Sequence, residues 1–236
     1  MMSLITYQFQ NYIRSFMFIP PVAIYIAWIC VLYSYNSLPV VSSYANSAVA
    51  LYLILTWITM NFFGIEEEAE KHILLVHLKQ KEHFLHGKWI NCFLILLLLL
   101  FIAELYPILA NRFASAVGLM EHSLSLYSHI GLGILGILTG SFFAGTRYAQ
   151  SRSVWLLCAL TVTASLAYSQ LADMLPKWIG WILWVLPPLR LFYEPLNAYE
   201  STGTASGLFS SFCIGIFYIV IAALIVQHMF LKKEKV

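Results

Sequence analysis

Charged residues are scarce in this chain. Asp, Glu, Lys and Arg make up 10% of its 236 residues, against about 25% in ordinary soluble domains. Hydrophobic residue types make up 61%, which is more apolar surface than a soluble fold can bury. We therefore expect an integral membrane protein. The net charge of +2 is too small to predict nucleic-acid binding.

Paired cysteines and a phosphate-binding loop are also missing. The cysteines lie in separate apolar runs, which predicts buried core side chains rather than disulfides or metal ligands. They are Cys30, Cys92, Cys158 and Cys213. A P-loop requires G-x-x-x-x-G-K-[ST], but the nearest candidate, Gly87-Lys88, is followed by Trp89 and lacks the first glycine. The chain is therefore not expected to hydrolyse ATP by that route.

Long apolar runs are abundant. A helix needs about 20 mostly apolar residues to cross a bilayer, and continuous runs such as 93–103 favour helices over the alternating pattern of a membrane barrel. The six predicted spans are residues 17–35, 45–64, 89–106, 123–145, 154–172 and 208–230. Together these runs predict an all-α integral membrane protein in which residues 1–236 form a single domain.

Two further segments are predicted beside these spans. Residues 1–16 carry apolar side chains near helical spacing, which predicts an amphipathic helix in the membrane interface. In residues 173–207, Pro187-Pro188 interrupts an apolar stretch that is too short to span. Because proline disrupts helix interiors, we expect two re-entrant half-helices there before the sixth span.

The distribution of lysine and arginine predicts the orientation. With the N-terminus in the cytoplasm, ten of these residues lie inside and three outside, as the positive-inside rule requires. The three outside are Arg112, Lys177 and Arg190. We therefore expect a multi-pass protein of the cell membrane with both termini in the cytoplasm.

One segment concentrates charge. Residues 65–88, which we call the charged island, carry five glutamates, four lysines and four of the seven histidines. The orientation places it in the cytoplasm between the second and third spans. As a single helix over 66–86 it would bring His72, His83 and His86 towards one face, but His72 is three turns from His83. The sequence therefore predicts no metal site.

Polar residues at membrane depth and clustered tryptophans mark a candidate substrate pathway. Ionisable residues inside membrane segments are functional candidates, and Glu104 and His129 lie in the predicted third and fourth spans. Trp181 and Trp184 lie in the re-entrant segment, where tryptophan favours the headgroup level. In the fourth span, Gly136, Gly140 and Ala144 form a small-xxx-small ladder. Its partner helix is either in the same subunit or in a second one.

The arrangement resembles the membrane subunit of a type-2 ABC exporter. In that family a cytoplasmic loop begins with glutamates, passes a Leu-Leu pair and ends near Gly-Lys. Here these elements are residues 66–70, Leu74-Leu75 and Gly87-Lys88, while Lys71-His72 stands where the family has Gly-Thr. The short chain is most similar to the small permeases of peptide export and immunity.

The resemblance implies a coupling helix in the charged island, which we expect to cover residues 66–86. This helix would dock on a separate ATPase, of which two copies bind ATP and Mg, and a second permease subunit, identical or a sister protein, would complete the exporter. The chain itself would need no cofactor and catalyse no reaction. The implied docking residues are Glu66, Glu67, Glu70, His72, Leu75, His77, Lys79 and Lys81. The implied cargo is an amphipathic peptide or another hydrophobic substrate.

Two other functions remain open. Glu66-Glu67 with Lys71 resembles the E-E-x-x-x-R motif of CAAX-protease-like membrane proteins, although lysine replaces arginine and no F-x-x-x-H element follows. Glutamates at the start of a helix are also explained by the helix dipole. A membrane scaffold that transports nothing is the second alternative.

Overall fold

The computed structural model describes residues 1–78, 80–150, 152–174, 176, 178, 180–203 and 207–234, and the helices below belong to these residues. The first five α-helices are α1 (Met2–Ser15), α2 (Ile19–Leu32), α3 (Val40–Phe63), α4 (Glu68–His77) and α5 (Glu82–Leu109). The next five are α6 (Leu119–Gly145), α7 (Val154–Leu166), α8 (Tyr168–Met174), α9 (Arg190–Thr202) and α10 (Leu208–Lys233). The described chain forms no β-strand, so the predicted all-α class is confirmed.

Four helices are long and apolar enough to cross a membrane by length and composition. They are α3, α5, α6 and α10. The helix pairs α1–α2 and α7–α8 each qualify only when taken together, and they are bent by 77° and 73°. Alone, α2 has 14 residues and is about 21 Å long, short of the roughly 30 Å hydrocarbon core. The six predicted spans therefore become four, or up to six if each bent pair is one span.

The glycine ladder packs α6 on α3. A side chain at Gly136 would lie 2.7 Å from the carbonyl oxygen of Tyr52, and one at Gly140 would lie 2.7 Å from that of Thr56. Only a hydrogen at these positions lets the two backbones come so close. The ladder therefore forms a contact between two helices of one chain. Of the two partners that the sequence left open, a helix of the same subunit or of a second subunit, the structure shows the first.

We expect Gly140→Ala to destabilise the protein by about 1–3 kcal/mol, because the added methyl group meets backbone that cannot move aside alone. The free energy of unfolding in detergent micelles measures this effect. Gly180→Ala is the matched control, since a side chain there would meet nothing within 4 Å. Equal stability of the two variants would contradict the tight α3–α6 contact.

The predicted proline break is confirmed, but the flanking helices differ from the expectation. A 3-10 helix covers Gly180–Val185 before Pro187-Pro188, and α9 (Arg190–Thr202) follows. Phe192 of α9 fills a space beside Gly131 of α6 and Gly215 of α10. This wedge fixes α9 against both long helices. The depth at which the segment lies in a membrane stays a prediction.

The charged island is not one helix, so the prediction of a helix over 66–86 is wrong. The helix α4 ends at His77, Leu78 is extended, and α5 begins at Glu82. The break lets Leu75 of α4 and Phe84 of α5 join Phe230 in one apolar cluster. This tertiary contact outweighs the helical propensity of the intervening residues. The residues of α5 before position 89 extend the predicted third span.

Candidate functional site

Leu75 anchors α4 to the body of the protein. Its side chain is 4% exposed and packs in a cluster with Phe84 and Leu85 of α5 and Phe230 of α10. Leu75 therefore faces the protein interior, and its expected role in docking stays a prediction. This contact holds one side of α4 against α5 and α10.

Glu66 and Lys88 form a buried ion pair. The side chain of Lys88 is fully buried and that of Glu66 is 2% exposed. The Lys88 ammonium also donates to the carbonyl oxygen of Phe62 at 2.5 Å and lies 4.8 Å from the Phe62 ring centroid. Because the carbonyl belongs to the last turn of α3, the cation also complements the negative end of that helix. The carboxylate of Glu66 is thus engaged inside the protein, and its expected role in docking stays a prediction.

Little in the sequence indicated that Lys88 forms a buried ion pair. Its position after Gly87 marked only the end of the charged island. The available signal was its location at the start of a long apolar run, where a lysine needs a partner. Its partner, 22 residues earlier, depends on how α3 and α5 pack.

Three further island residues connect α4 to the chain termini. Tyr7 of α1 donates a hydrogen bond to Glu70, and Lys71 lies 2.5 Å from a carboxylate oxygen of Glu234. Lys81 donates to the backbone carbonyl of Glu234. Glu70 and Lys81 are partly exposed, and their expected role in docking stays a prediction. The bonds of Glu70 and Lys71 tie α4 to α1 and to the end of α10, and the bond of Lys81 ties the start of α5 to the end of α10.

The opposite side of α4 is free of such contacts and includes two bare aliphatic side chains. We call it the α4 exposed face: Glu67, Glu68, Ala69, His72, Ile73, Val76 and His77. Ile73 is 61% exposed and Val76 is 82% exposed. Of the expected docking residues, Glu67, His72 and His77 lie on this face, and Lys79 lies outside the described residues. The sequence reasoning missed Ile73 and Val76, although both differ in helical phase from the buried Leu75.

Glu104 and His129 belong to one buried polar cluster. Ser125 donates to a Glu104 carboxylate oxygen, and His129 Nδ1 lies 3.7 Å from the same carboxylate. Across the helix interface, His129 Nε2 is 2.9 Å from the hydroxyl of Ser47. The cluster therefore joins α3, α5 and α6 by hydrogen bonds. The sequence did not indicate the contact between the two residues, and their role in a substrate pathway stays a prediction.

Trp181 and Trp184 lie elsewhere, on the wall of an apolar cavity. The cavity has a volume of about 570 Å³ and lies between α6, α7, α10 and the 3-10 helix. Phe142 and Phe143 of α6 and Tyr218 of α10 supply further aromatic walls. Neither Glu104 nor His129 lines it. The four expected pathway residues thus divide into a polar pair and an aromatic pair at separate places.

Metal chemistry and known relatives give no further assignment. No group of three or more His, Cys, Asp or Glu side chains in the described part of the chain is placed to hold a metal ion. Comparison of the chain with family models, curated proteins and solved structures gives no match in any of the three. The functional argument therefore depends on the geometry of this chain alone.

Proposed function

We propose that this chain is the transmembrane subunit of an ATP-driven ABC exporter, with α4 as its coupling helix. The observation that carries the proposal is the two-sided character of α4. One side is fixed by Leu75, Glu70 and Lys71, while Ile73 and Val76 on the other side are largely exposed. The exporter lies in the cell membrane, and both of its termini and α4 face the cytoplasm.

The composition of the α4 exposed face suits a protein partner. Interfaces combine apolar anchors at the centre with a polar rim, and a few central residues supply most of the binding energy. Ile73 and Val76 are the anchors, and the charged or polar side chains of Glu67, His72 and His77 form the rim. The partner is a P-loop ATPase that binds ATP and Mg, and a groove on its surface receives α4.

The contacts of α4 with other helices would transmit a displacement of α4 to them. The side chains of Glu70 and Lys71 reach α1 and the end of α10, and Leu75 reaches α5 and α10. A displacement of α4 therefore acts on three helices at once. Closure of two ATPases around ATP would displace α4 in each of two permease subunits and shift the spans as rigid bodies.

The second permease subunit is either another copy of this chain or a sister protein. The long helix α10 supports this part of the proposal, because only 11% of its most apolar window is buried within the chain. The cargo is an amphipathic peptide or another hydrophobic substrate. Glu104, His129, Trp181 and Trp184 remain the proposed pathway residues.

The geometry gives the protease alternative less support. Glu66 is occupied by its ion pair with Lys88, and Glu67 lies exposed at the start of α4. A general base needs a carboxylate within reach of the water that it activates. A carboxylate already bound to a buried ammonium is poorly suited to that role.

Co-expression with a candidate P-loop ATPase tests the proposal. We expect the wild-type chain to retain the ATPase through purification and to change its ATP turnover in proteoliposomes. Glu67→Lys should weaken retention by reversing a charge at the rim of the interface. Glu194→Lys, in the exposed part of α9, is the matched control and should leave retention unchanged.

Two results would contradict this function. If the wild-type chain never retains the ATPase, the exporter proposal is wrong. If the ATPase is retained but its ATP turnover does not depend on the chain or on substitutions in α4, a scaffold explains the complex better than a transporter.

A further inference from the structure

We propose that the apolar cavity between α6, α7, α10 and the 3-10 helix binds a single hydrocarbon chain of an amphiphile. This inference does not rest on the docking of an ATPase at α4, although it concerns Trp181 and Trp184, which the proposed function assigns to the substrate pathway. It assigns a ligand class to a site that contains Trp181 and Trp184. The argument uses the chemistry, the size and the location of the cavity.

The residues that line the cavity have few polar groups that need a hydrogen-bond partner. Among the residues that the structure describes, no charged side chain contributes to the lining. The hydroxyl of Thr139 donates to the carbonyl oxygen of Leu135 at 2.8 Å, and that of Thr161 donates to Leu157 at 2.9 Å. Both hydroxyls are therefore satisfied within their own helices. A saturated chain, which neither donates nor accepts, suits this lining.

A peptide suits it less well. Each peptide unit brings a donor and an acceptor, and burying such a group without a partner is unfavourable. The two threonine hydroxyls are already bonded to their own helices, so the described lining offers a peptide backbone only the indole N–H groups of Trp181 and Trp184 and the hydroxyl of Tyr218. The cavity therefore selects against backbone and in favour of hydrocarbon.

The volume corresponds to one chain. Ligand pockets in proteins span roughly 300–1,000 Å³, and this cavity of about 570 Å³ falls within that range. At about 30 Å³ for each water-sized group, it has room for about 19 methylene-sized groups. This is the size of one long acyl chain and is too small for two.

The position of the cavity also favours a hydrocarbon ligand. The cavity walls include Leu135 and Phe143 of α6 and Tyr218 and Val226 of α10, and both helices are apolar enough to span a membrane. The surroundings are therefore hydrocarbon rather than water. Trp181 and Trp184 line the cavity yet are 68% and 47% exposed, so the cavity reaches the protein surface beside them. A chain entering there gains dispersion contacts that an empty cavity lacks.

Photolabelling in liposomes tests the site with two probes. One is palmitic acid with a diazirine in its chain, and the other is phosphatidylcholine that carries the same labelled chain. We expect mass spectrometry to find label concentrated at Ile221, Ile225 and Phe142. Labelling by either probe supports the proposal and identifies whether a free or an esterified chain is bound.

Ala222→Phe fills the cavity and should reduce this labelling about tenfold, which corresponds to about 1.4 kcal/mol of binding. Ala223→Phe is the matched control, because Ala223 is the next residue of α10 and does not line the cavity. It should leave the labelling unchanged.

Three results would overturn the proposal. The first is wild-type label at Ile221 and Ile225 no denser than at Leu94 and Leu98, two exposed residues of α5. The second is equal labelling of the Ala222→Phe and Ala223→Phe variants. The third is labelling by a diazirine-bearing hydrophobic peptide when both hydrocarbon probes fail. The first comparison uses only the wild type, so it does not depend on how the variants fold. Retention of the ATPase by the Ala222→Phe variant is measured in parallel. This measurement distinguishes an effect on the cavity from an effect on ATPase docking at α4.

Discussion

Val76→Asp should reduce the affinity of the chain for the proposed ATPase partner by about a hundredfold, the equivalent of about 2.8 kcal/mol. Val76 is 82% exposed, so the substitution leaves the packing of α4 intact. In the proposed complex, however, it places a carboxylate in the desolvated centre of the interface. The dissociation constant of the purified chain and ATPase in detergent measures the loss.

Leu119→Asp is the control for this prediction. Leu119 is 88% exposed at the first turn of α6, where an acidic side chain is compatible with the helix dipole. In the proposed orientation it lies on the other side of the membrane from the ATPase. Equal affinities for the two variants would show that the α4 exposed face is not the docking surface.

Removal of the Lys88 ammonium should have the largest effect on stability. We expect Lys88→Met to lower the free energy of unfolding by about 3–5 kcal/mol, because it leaves the Glu66 carboxylate buried without its partner. The variant also loses the hydrogen bond to the carbonyl oxygen of Phe62. Unfolding of the purified protein in mixed detergent micelles, followed by tryptophan fluorescence, measures this loss.

A double variant separates the ion pair from simple loss of packing. Glu66→Leu/Lys88→Met removes both charges and should recover much of the stability lost in Lys88→Met alone. Lys232→Met, at an exposed position near the end of α10, should stay within about 0.5 kcal/mol of the wild type. If the effects of Glu66→Leu and Lys88→Met simply add, the two residues are not energetically coupled.

The long helices were predictable because composition alone determines them. The predicted second, fourth and sixth spans differ from α3, α6 and α10 by at most a few residues at each end, since a run of apolar residues has few alternatives. The bend between α1 and α2 was not visible in the same way. It depends on Phe16, a non-glycine residue in the left-handed conformation, which no local pattern indicates.

The candidate site was harder to predict because its parts are distant in sequence. The charges of the island indicated a surface, yet Glu66, Glu70 and Lys71 have partners at Lys88, Tyr7 and Glu234. Helical spacing describes neighbours within one helix and contains no information on these contacts. The residues that remain outward, Ile73 and Val76, looked in the sequence like any other apolar pair.

Site-specific photo-crosslinking from position 76 tests the central claim most directly. A benzophenone amino acid at position 76, in place of Val76, is illuminated in membranes that contain the candidate P-loop ATPase, and position 119 serves as the control. The account predicts a crosslink to the ATPase from position 76 and none from position 119. Absence of the crosslink at position 76 while the ATPase is present and folded, or an equal yield at position 119, would contradict the account.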